Sequence, residues 1–419
     1  MRGRSSTRLV PLLGSFVAFA ALAPAPVGPA HAQPAATAGT TNPGAVAYQP
    51  ARYEIHGLAV PAGYEGAVAT SIDAEGQVYG YAFNGSDWVT QKRRAVRWHA
   101  SGHVVKLGPD EVIDGASVGL LDGKPVYWTR VKASPADKVD GFVGDTKVPS
   151  FVPKGIRGSR VFGWKYTSTA SPGSSGGGFV FPTGESFSSR PILAMNAAGI
   201  VVGTANVPSH DVTYRVAYGQ VSGVMATQER FGFLKDVDAS GVAVGAVTTV
   251  PGDPHAPYHA IRHKPGSVEE DLGTLGGQSS SAHGVTDDGE TIVGTSKLGN
   301  GLQVAFVRAK RRMYDLNTLV DYPPPPSKPT APARGAGPGG LQIDPPPTPQ
   351  MWLRTANGVN DKGDVCGVGI SNGKAIPFVL RKKSITGVIV VDADVLKSHI
   401  VGRALPALEE RPVVEAPGK

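Results

Sequence analysis

The sequence predicts an all-β fold assembled from repeated units, and three observations support this prediction. The 419 residues include 55 glycines and 36 prolines, a composition that favours many turns over long helices. A pattern of nine residues recurs along the chain. Between its copies, short apolar segments of strand-like character alternate with turn residues.

The recurring pattern is an apolar residue, an Asn or Asp, two variable residues, a Gly, and three strand-like residues that end at a second Gly. The Asn or Asp tolerates turn geometry and the first Gly supplies a positive φ, so each copy predicts a β-hairpin. The second Gly, called the closing glycine below, lets another backbone come close or lets the strand bend. Four copies of equal length, and a fifth with one extra residue, lie at Ile72–Gly80, Met195–Gly203, Val237–Gly245, Val359–Gly367 and Val285–Gly294.

The closing glycines are spaced at regular intervals. Gly203 and Gly245 lie 42 residues apart, and Gly245 and Gly294 lie 49 apart. The 123 residues from Gly80 to Gly203 equal three units of 41, whereas the 73 residues from Gly294 to Gly367 indicate an insertion. Seven units result, with six or eight as alternatives. Degenerate copies are expected at Leu121–Trp128 and Gly158–Gly163.

Each copy is followed by a further strand, a second turn and another strand. Ala95–Trp98, for example, turns at Ala100–Gly102 into Val104–Gly108. Four strands per unit and a period in the low forties predict a β-propeller, whose radial blades leave only short edges. A β-solenoid is the alternative, but its repeats are usually shorter and do not carry four strands. Two segments fit an outermost strand that would join the last unit to the first, Tyr53–Leu58 and Ile385–Val391.

The N-terminus has the features of a secretory signal peptide. Three arginines precede the apolar run Leu9–Ala23, and the small residues Ala30 and Ala32 follow. Pro11 and Gly14 interrupt the run, which is too short for a membrane anchor. We therefore expect cleavage near Ala32 and a secreted or periplasmic protein without a membrane span.

Composition divides the rest of the chain. Residues 33–50 form a flexible leader rich in Pro, Ala and Gly, and residues 51–395 form the repeat domain. The stretch 322–348 is a Pro/Gly-rich insertion before the last unit, which we interpret as a solvated spacer on one face, and 396–419 form a polar tail.

Charge and cysteine content exclude several classes of function. Without residues 1–32, the chain holds 38 basic and 34 acidic residues, and a net charge of +4 is too small to indicate a nucleic-acid partner. Cys366 is the single cysteine, so no disulfide can form within the chain, and its strand-like setting predicts a buried thiol. We expect a monomer, with an extracellular glycan or an envelope or surface protein as the partner.

One segment resembles a known family. The run from Asp271 to Val285, DLGTLGGQSSSAHGV, is similar to the HAF family of extracellular repeats. Val304–Phe306 stands where that family has its His-Ala-Phe, His259–Ile261 is a second near match, and Met313–Asn317 resembles its closing strand. The resemblance implies a secreted or surface repeat protein and no catalytic residues, because the shared positions belong to turns and strands.

No metal or cofactor site is expected. His255, His259 and His263 recur every four residues, but Pro254 and Pro257 exclude the helix on which this spacing would align three metal ligands. The turn carboxylates lack the dense oxygen spacing of calcium loops, and their turn-forming role explains them. These carboxylates are Asp73, Asp238, Asp287, Asp288 and Asp361.

A ligand of a propeller is expected at the mouth of the central channel, where the innermost strands and their loops converge. The repeat alignment places four polar candidates there, which are Asp236, His283, Arg354 and Asn357. Because every recurring position has a structural explanation, the sequence favours an exported, non-catalytic binding module. A secreted lyase or hydrolase with a site at the channel mouth is the alternative, by analogy of fold alone.

Overall fold

The computed structural model describes the repeat domain from residue 50 to residue 383. The described ranges are 50–85, 92–109, 112–132, 137–166, 176–188, 192–209, 212–220, 224–264, 267, 269–321 and 351–383, with backbone alone from 205 to 230. The predicted signal segment, most of the predicted leader, the stretch 322–348, Ile385–Val391 and the predicted tail lie outside them.

The first described strand is β1 (Tyr53–Gly57), and the next three units each form a separate four-stranded antiparallel sheet in chain order. Unit 1 contains β2 (Gly66–Ile72), β3 (Val78–Asn84), β4 (Lys92–Trp98) and β5 (Val104–Lys106). Unit 2 contains β6 (Val112–Leu121), β7 (Lys124–Val131), β8 (Lys138–Val143) and β9 (Thr146–Pro149). Unit 3 contains β10 (Phe151–Arg157), β11 (Arg160–Tyr166), β12 (Gly176–Phe181) and β13 (Ser186–Ser188).

Units 4 and 5 share one seven-stranded sheet because β17 is long enough to serve both. Its first half pairs with β16 and its second half pairs with β18. The strands are β14 (Ile192–Met195), β15 (Val201–Ser209), β16 (Val212–Gln220), β17 (Val224–Val237), β18 (Ala243–Thr248), β19 (Tyr258–His263) and β20 (Glu270–Asp271).

Unit 6 is a four-stranded sheet, and unit 7 has five strands because β1 joins it. Unit 6 contains β21 (Gly276–Val285), β22 (Ile292–Leu298), β23 (Gln303–Ala309) and β24 (Arg312–Asp315), followed by a 3-10 turn at Leu316–Thr318. Unit 7 contains β26 (Trp352–Val359), β27 (Val365–Ser371), β28 (Lys374–Lys382), β1 and β25 (Val320–Asp321).

The predicted all-β propeller is confirmed. Hydrogen bonding joins the strands into six sheets, and the seven-stranded sheet holds two four-stranded units. Each innermost strand contacts the innermost strand of the next unit, and β26 contacts β2, so the sheets close into a ring. Apolar side chains pack between neighbouring sheets. Within the described residues, no helix is long and apolar enough to cross a bilayer.

The N-terminal strand closes the ring. β1 pairs antiparallel with β28 from Tyr53↔Lys382 to Gly57↔Phe378, and it pairs in parallel with β25. Tyr53 and Ile55 are buried in the core shared with Leu316 and Phe378. Of the two segments expected to close the ring, Tyr53–Leu58 therefore has this role, whereas Ile385–Val391 lies outside the described residues.

The recurring pattern forms the hairpin between the first two strands of a unit, as predicted. Its Gly has a positive φ, for example +88° at Gly241. The side-chain oxygen of its Asn or Asp accepts the backbone N–H four residues later, which fixes the turn. These bonds join Gln77 N to Asp73 (2.7 Å), Ile200 N to Asn196 (3.0 Å), Val242 N to Asp238 (2.8 Å) and Asp364 N to Asn360 (3.0 Å).

Candidate functional site

A cavity of about 580 Å³ occupies the centre of the ring, and all seven units contribute residues to its wall. This volume lies within the range of small-molecule sites. The turns after the innermost strands, including Glu75, Asp287 and Asp361, also border the cavity. The cavity is therefore the central channel at the end where the hairpin turns lie.

Every innermost strand carries a β-bulge at the same level of the channel. At this level the antiparallel register skips one residue of the first strand of each unit, and that residue lines the cavity. β6, β21 and β26 each have a second irregularity nearer their starts. We call these seven residues the bulge ring. They are Thr70, Val118, Lys154, Leu193, Lys235, His283 and Asn357.

In six of the seven units a glycine lies opposite the residue that precedes the bulge. In unit 5, Gly245 lies opposite Leu234, immediately before the skipped Lys235. A Cβ at Gly245 would overlap the carbonyl oxygen of Phe233, so no other residue fits without moving the backbone. Gly80 has the same relation to the carbonyl oxygen of Val68 in unit 1. In these units the glycine leaves room for a carbonyl oxygen of the bulged first strand, whereas unit 2 bulges at Val118 with Tyr127 opposite Ser117.

Two members of the bulge ring are lysines. Burial lowers the pKa of Lys154 and that of Lys235 to about 8. The charge of Arg93 lowers the pKa of Lys154 further, and the charge of Lys154 lowers that of Lys235, while Asp114 and Asp236 act in the opposite direction. Neither ammonium has a hydrogen-bond or ion-pair partner among the described residues.

Arg93 and Asp114 are paired with each other beside this part of the channel. Arg93 Nη2 donates to Asp114 Oδ2 at 2.8 Å, and Arg130 Nη2 lies 3.5 Å from the same oxygen. Both Arg93 and Asp114 are buried. Because two guanidinium groups already neutralise Asp114, this carboxylate is not available as a counter-ion for Lys154.

His283 is buried and neutral. Its Nδ1 lies 3.0 Å from the carbonyl oxygen of Ala356, which can only accept, so we assign the proton to Nδ1. Burial and the neighbouring charge of Lys235 hold the pKa of His283 well below its ordinary value, although hydrogen bonds to Ala356 and Asn357 act in the opposite direction. The bond to Ala356 also connects unit 6 to unit 7.

Asn357 and Asp236 face the cavity and also connect neighbouring units. Asn357 Nδ2 donates to the carbonyl oxygen of Ala69 in unit 1 at 2.7 Å. Asp236 accepts the N–H groups of Val237 and of Val285 in unit 6, both at 2.9 Å. Burial raises the pKa of Asp236, while Arg157, 3.9 Å away, lowers it. Both side chains therefore hold the ring together at the level of the cavity.

The structure brings three of the four predicted site residues to one cavity. Asp236, His283 and Asn357 line it, and His283 and Asn357 belong to the bulge ring. Arg354 lies on β26 at partial exposure and is not among the lining residues. Burial lowers the pKa of its guanidinium.

Lys154 and Lys235 were not among the predicted site residues, although the sequence carries a signal for them. The skipped residue lies three positions before the Asn or Asp of the pattern, as Thr70 does before Asp73 and Asn357 before Asn360. Counting back three positions from Asp238 leads to Lys235. Lys154 stands three positions before Arg157, and because this copy has neither Asn nor Asp at that position, the same count does not apply to it.

Two of the candidate metal ligands have structural partners, and the thiol is buried. His259 Nδ1 lies 2.8 Å from Asp271 Oδ2 on the neighbouring strand. Asp361 Oδ1 accepts the N–H of Asp287 at 2.8 Å. Cys366 is fully buried, as predicted, and burial raises the pKa of its thiol to about 12. Across the part of the chain that the structure describes, no group of three or more His, Cys, Asp or Glu could hold a metal ion.

Comparison with known proteins adds little to this description. No protein-family model matches the sequence, and no curated protein matches it. Among solved structures, the β-propeller domain of the Trilobed protease from Pyrococcus furiosus, described as having an open velcro topology, matches with a TM-score of 0.43 and 7% identity. The match covers 77% of this chain and 99% of that one. At this level of similarity it supports no statement about this chain, whose fold rests on its own strand pairings.

Proposed function

We propose that the protein is an exported, non-catalytic binding module that holds a small carboxylate-bearing ligand in its central channel. The observation behind the proposal is the pair Lys154 and Lys235, two amines that face one cavity without a counter-ion among the described residues. Burying an ammonium without a partner costs free energy, and an anion bound between the two would recover much of it.

The size and lining of the cavity limit the ligand to a small molecule. A volume of about 580 Å³ accommodates a sugar acid or a short organic acid, but not a folded partner. Asn357, Thr70 and the neutral His283 supply polar groups at the same level, and Val118 and Leu193 supply apolar contacts. An anionic sugar released from an extracellular glycan fits this combination of charge, polar groups and size.

Binding should weaken as the pH rises above about 8. Both lysines have a pKa of about 8 in the empty channel, so both are mostly protonated at neutral pH. An anion stabilises the protonated form and raises these pKa values, which means that binding takes up protons. Above about pH 8, binding requires one amine to take up a proton. Each further pH unit should therefore lower the affinity by up to about tenfold.

Isothermal titration calorimetry with glycolate, glucuronate and inorganic phosphate tests the proposal. We expect at least one carboxylate to bind at neutral pH, and Lys154→Met and Lys235→Met each to lower its affinity about tenfold or more. Lys374→Met, which replaces an exposed lysine of β28, is the matched control and should leave the affinity unchanged. Absence of binding by every anion, or equal binding by all three variants, would contradict the proposal.

Export is the part of the proposal that rests on the sequence of residues 1–32 and on the resemblance to HAF repeats. The full chain, expressed in a bacterium with a general secretion pathway, should appear outside the cytoplasm with a new N-terminus near residue 33. N-terminal sequencing of the released protein tests this directly. A protein that stays in the cytoplasm with residues 1–32 attached would contradict export while leaving the channel proposal untouched.

A further inference from the structure

Lys235 occupies a special place in the bulge ring. Lys154 approaches the cavity from β10, His283 from β21, and Asp236 is the next residue of the same strand β17. The charges of Lys154 and Asp236 shift the pKa of Lys235 in opposite directions. The charge of Lys235 in turn lowers the pKa of His283. The carboxylate of Asp236 is engaged by two backbone N–H groups. The Lys235 amine thus faces the cavity beside a second cation and a neutral imidazole.

This arrangement is the one that makes a lysine amine reactive. An amine attacks a carbonyl group only in its neutral form, and both low water access and a neighbouring cation favour that form. Lys235 is half-buried in the cavity wall, its pKa responds to the charge of Lys154, and that pKa is lowered to about 8. An exposed lysine such as Lys374 keeps the ordinary hydration of its ammonium and meets neither condition.

We propose that Lys235 captures the carbonyl carbon of a small oxo acid as an imine while Lys154 binds the carboxylate of the same molecule. This inference rests on the proposed anion site and deepens it by naming the class of ligand. The two lysines divide the work because the ligand carries one electrophilic carbon and one anionic group. The module would then hold its ligand by a reversible covalent bond, in addition to an ion pair.

The step balances without a further reactant. The neutral amine of Lys235 adds its lone pair to the carbonyl carbon, the carbon–oxygen π electrons move to oxygen, and a proton passes from nitrogen to that oxygen. The resulting carbinolamine loses its hydroxyl group and the second amine proton as water, and the carbon–nitrogen double bond forms. Nothing is oxidised or reduced, and water reverses the reaction.

Reductive trapping on the full chain tests the inference. The protein is incubated near pH 8 with glyoxylate and cyanoborohydride, which reduces the imine to a stable secondary amine, and intact mass and peptide mapping locate the adduct. We expect one adduct per chain, on Lys235, formed at least about tenfold faster than modification of Lys374. Lys235→Met should abolish the fast adduct. Equal rates at Lys235 and exposed lysines, or a fast adduct on Lys154 instead, would overturn the assignment.

A second pair of probes separates the roles of the two lysines. Lys154→Met should slow trapping of glyoxylate about tenfold but change trapping of propanal, which has no carboxylate, far less. Lys374→Met is again the matched control and should behave as the unmodified chain does with both probes. Equal slowing of both aldehydes by Lys154→Met would overturn the role of Lys154 as the carboxylate partner.

Glycolate distinguishes failure of this inference from failure of the proposed function, because it carries the carboxylate but no carbonyl carbon that an amine can attack. Lysine-dependent binding of glycolate without fast trapping of glyoxylate would overturn the imine and leave the anion site standing. Loss of both would overturn the imine and the anion site together.

Discussion

At the scale of single residues, the position of a lysine relative to a bulge decides its chemistry. Lys235 would be an ordinary strand residue if β17 and β18 paired without interruption, but the skipped register directs it to the channel. The same holds for Lys154 on β10. The chain therefore retains two ammonium groups at a place where their burial opposes folding.

Because burial of the two ammonium groups lowers the free energy of unfolding, replacing one of these lysines should stabilise the protein. The folded-state pKa of each is lowered to about 8 from the ordinary value of 10.5, so between these values the unfolded chain binds more protons and stability rises with pH. Lys235→Met should raise the free energy of unfolding at pH 7 by about 2 kcal/mol, which is below the full linkage value of about 3 kcal/mol because the channel admits water.

Denaturant unfolding at about pH 7 and pH 10 checks this prediction. The advantage of Lys235→Met should be complete below pH 8 and should shrink towards zero as the pH approaches 10.5, because the lysine of the unmodified chain then folds uncharged. Lys374→Met should change stability little at either pH. A destabilised Lys235→Met protein would mean that the ammonium has a partner in the folded chain.

At the scale of elements, the same recurring pattern contributes to both the hairpin turn and the bulge. The Asn or Asp and the first Gly of the pattern shape the turn, and the closing glycine four or five residues later accommodates the bulged first strand. The hairpin was predictable because turn residues act within a few positions. The bulge was not predicted, since the glycine alone does not show which carbonyl oxygen approaches it.

The close approach of a carbonyl oxygen to the closing glycine predicts that one added methyl group strongly destabilises the protein. Gly245→Ala should lower the free energy of unfolding by at least about 3 kcal/mol, because its Cβ would overlap the carbonyl oxygen of Phe233. Gly299→Ala is the matched control, since its Cβ would lie 3.5 Å from the nearest atom, the Gly276 carbonyl oxygen, and should cost less than about 0.5 kcal/mol. Thermal and denaturant unfolding measure both. Similar stability of the two variants would contradict this account of the closing glycine.

At the scale of the whole molecule, the ring is closed by residues from the two ends of the repeat domain. β1 supplies the fourth strand of the last unit, and Asn360 Nδ2 of unit 7 donates to the carbonyl oxygen of Asp73 in unit 1 at 2.9 Å. All seven innermost strands must be in place for the bulge ring to form. Closure and the candidate site therefore depend on each other.

If β1 closes the ring, an aspartate introduced at a buried position of β1 should have a larger effect than one introduced at the adjacent exposed position. Ile55 is 8% exposed and packs in the core of unit 7, whereas His56 is exposed. Ile55→Asp should release β1 and make the N-terminal segment sensitive to protease, and it should lower the free energy of unfolding by more than about 3 kcal/mol. His56→Asp should change the free energy of unfolding by less than about 1 kcal/mol. Limited proteolysis and thermal unfolding provide the readouts. Protease resistance of Ile55→Asp equal to that of His56→Asp would argue against closure by β1.

The sequence alone determined the all-β class, the propeller, the hairpin turns and a buried Cys366, because turn chemistry and strand alternation act over a few residues and repeat along the chain. It also placed Asp236, His283 and Asn357 near the channel, since aligned repeats occupy equivalent positions. Only the tertiary structure decided that Tyr53–Gly57 closes the ring, because two candidate strands had the same local character. It alone brought Lys154 and Lys235 into one cavity, since a bulge is a property of two paired strands and a cavity is a property of all seven units.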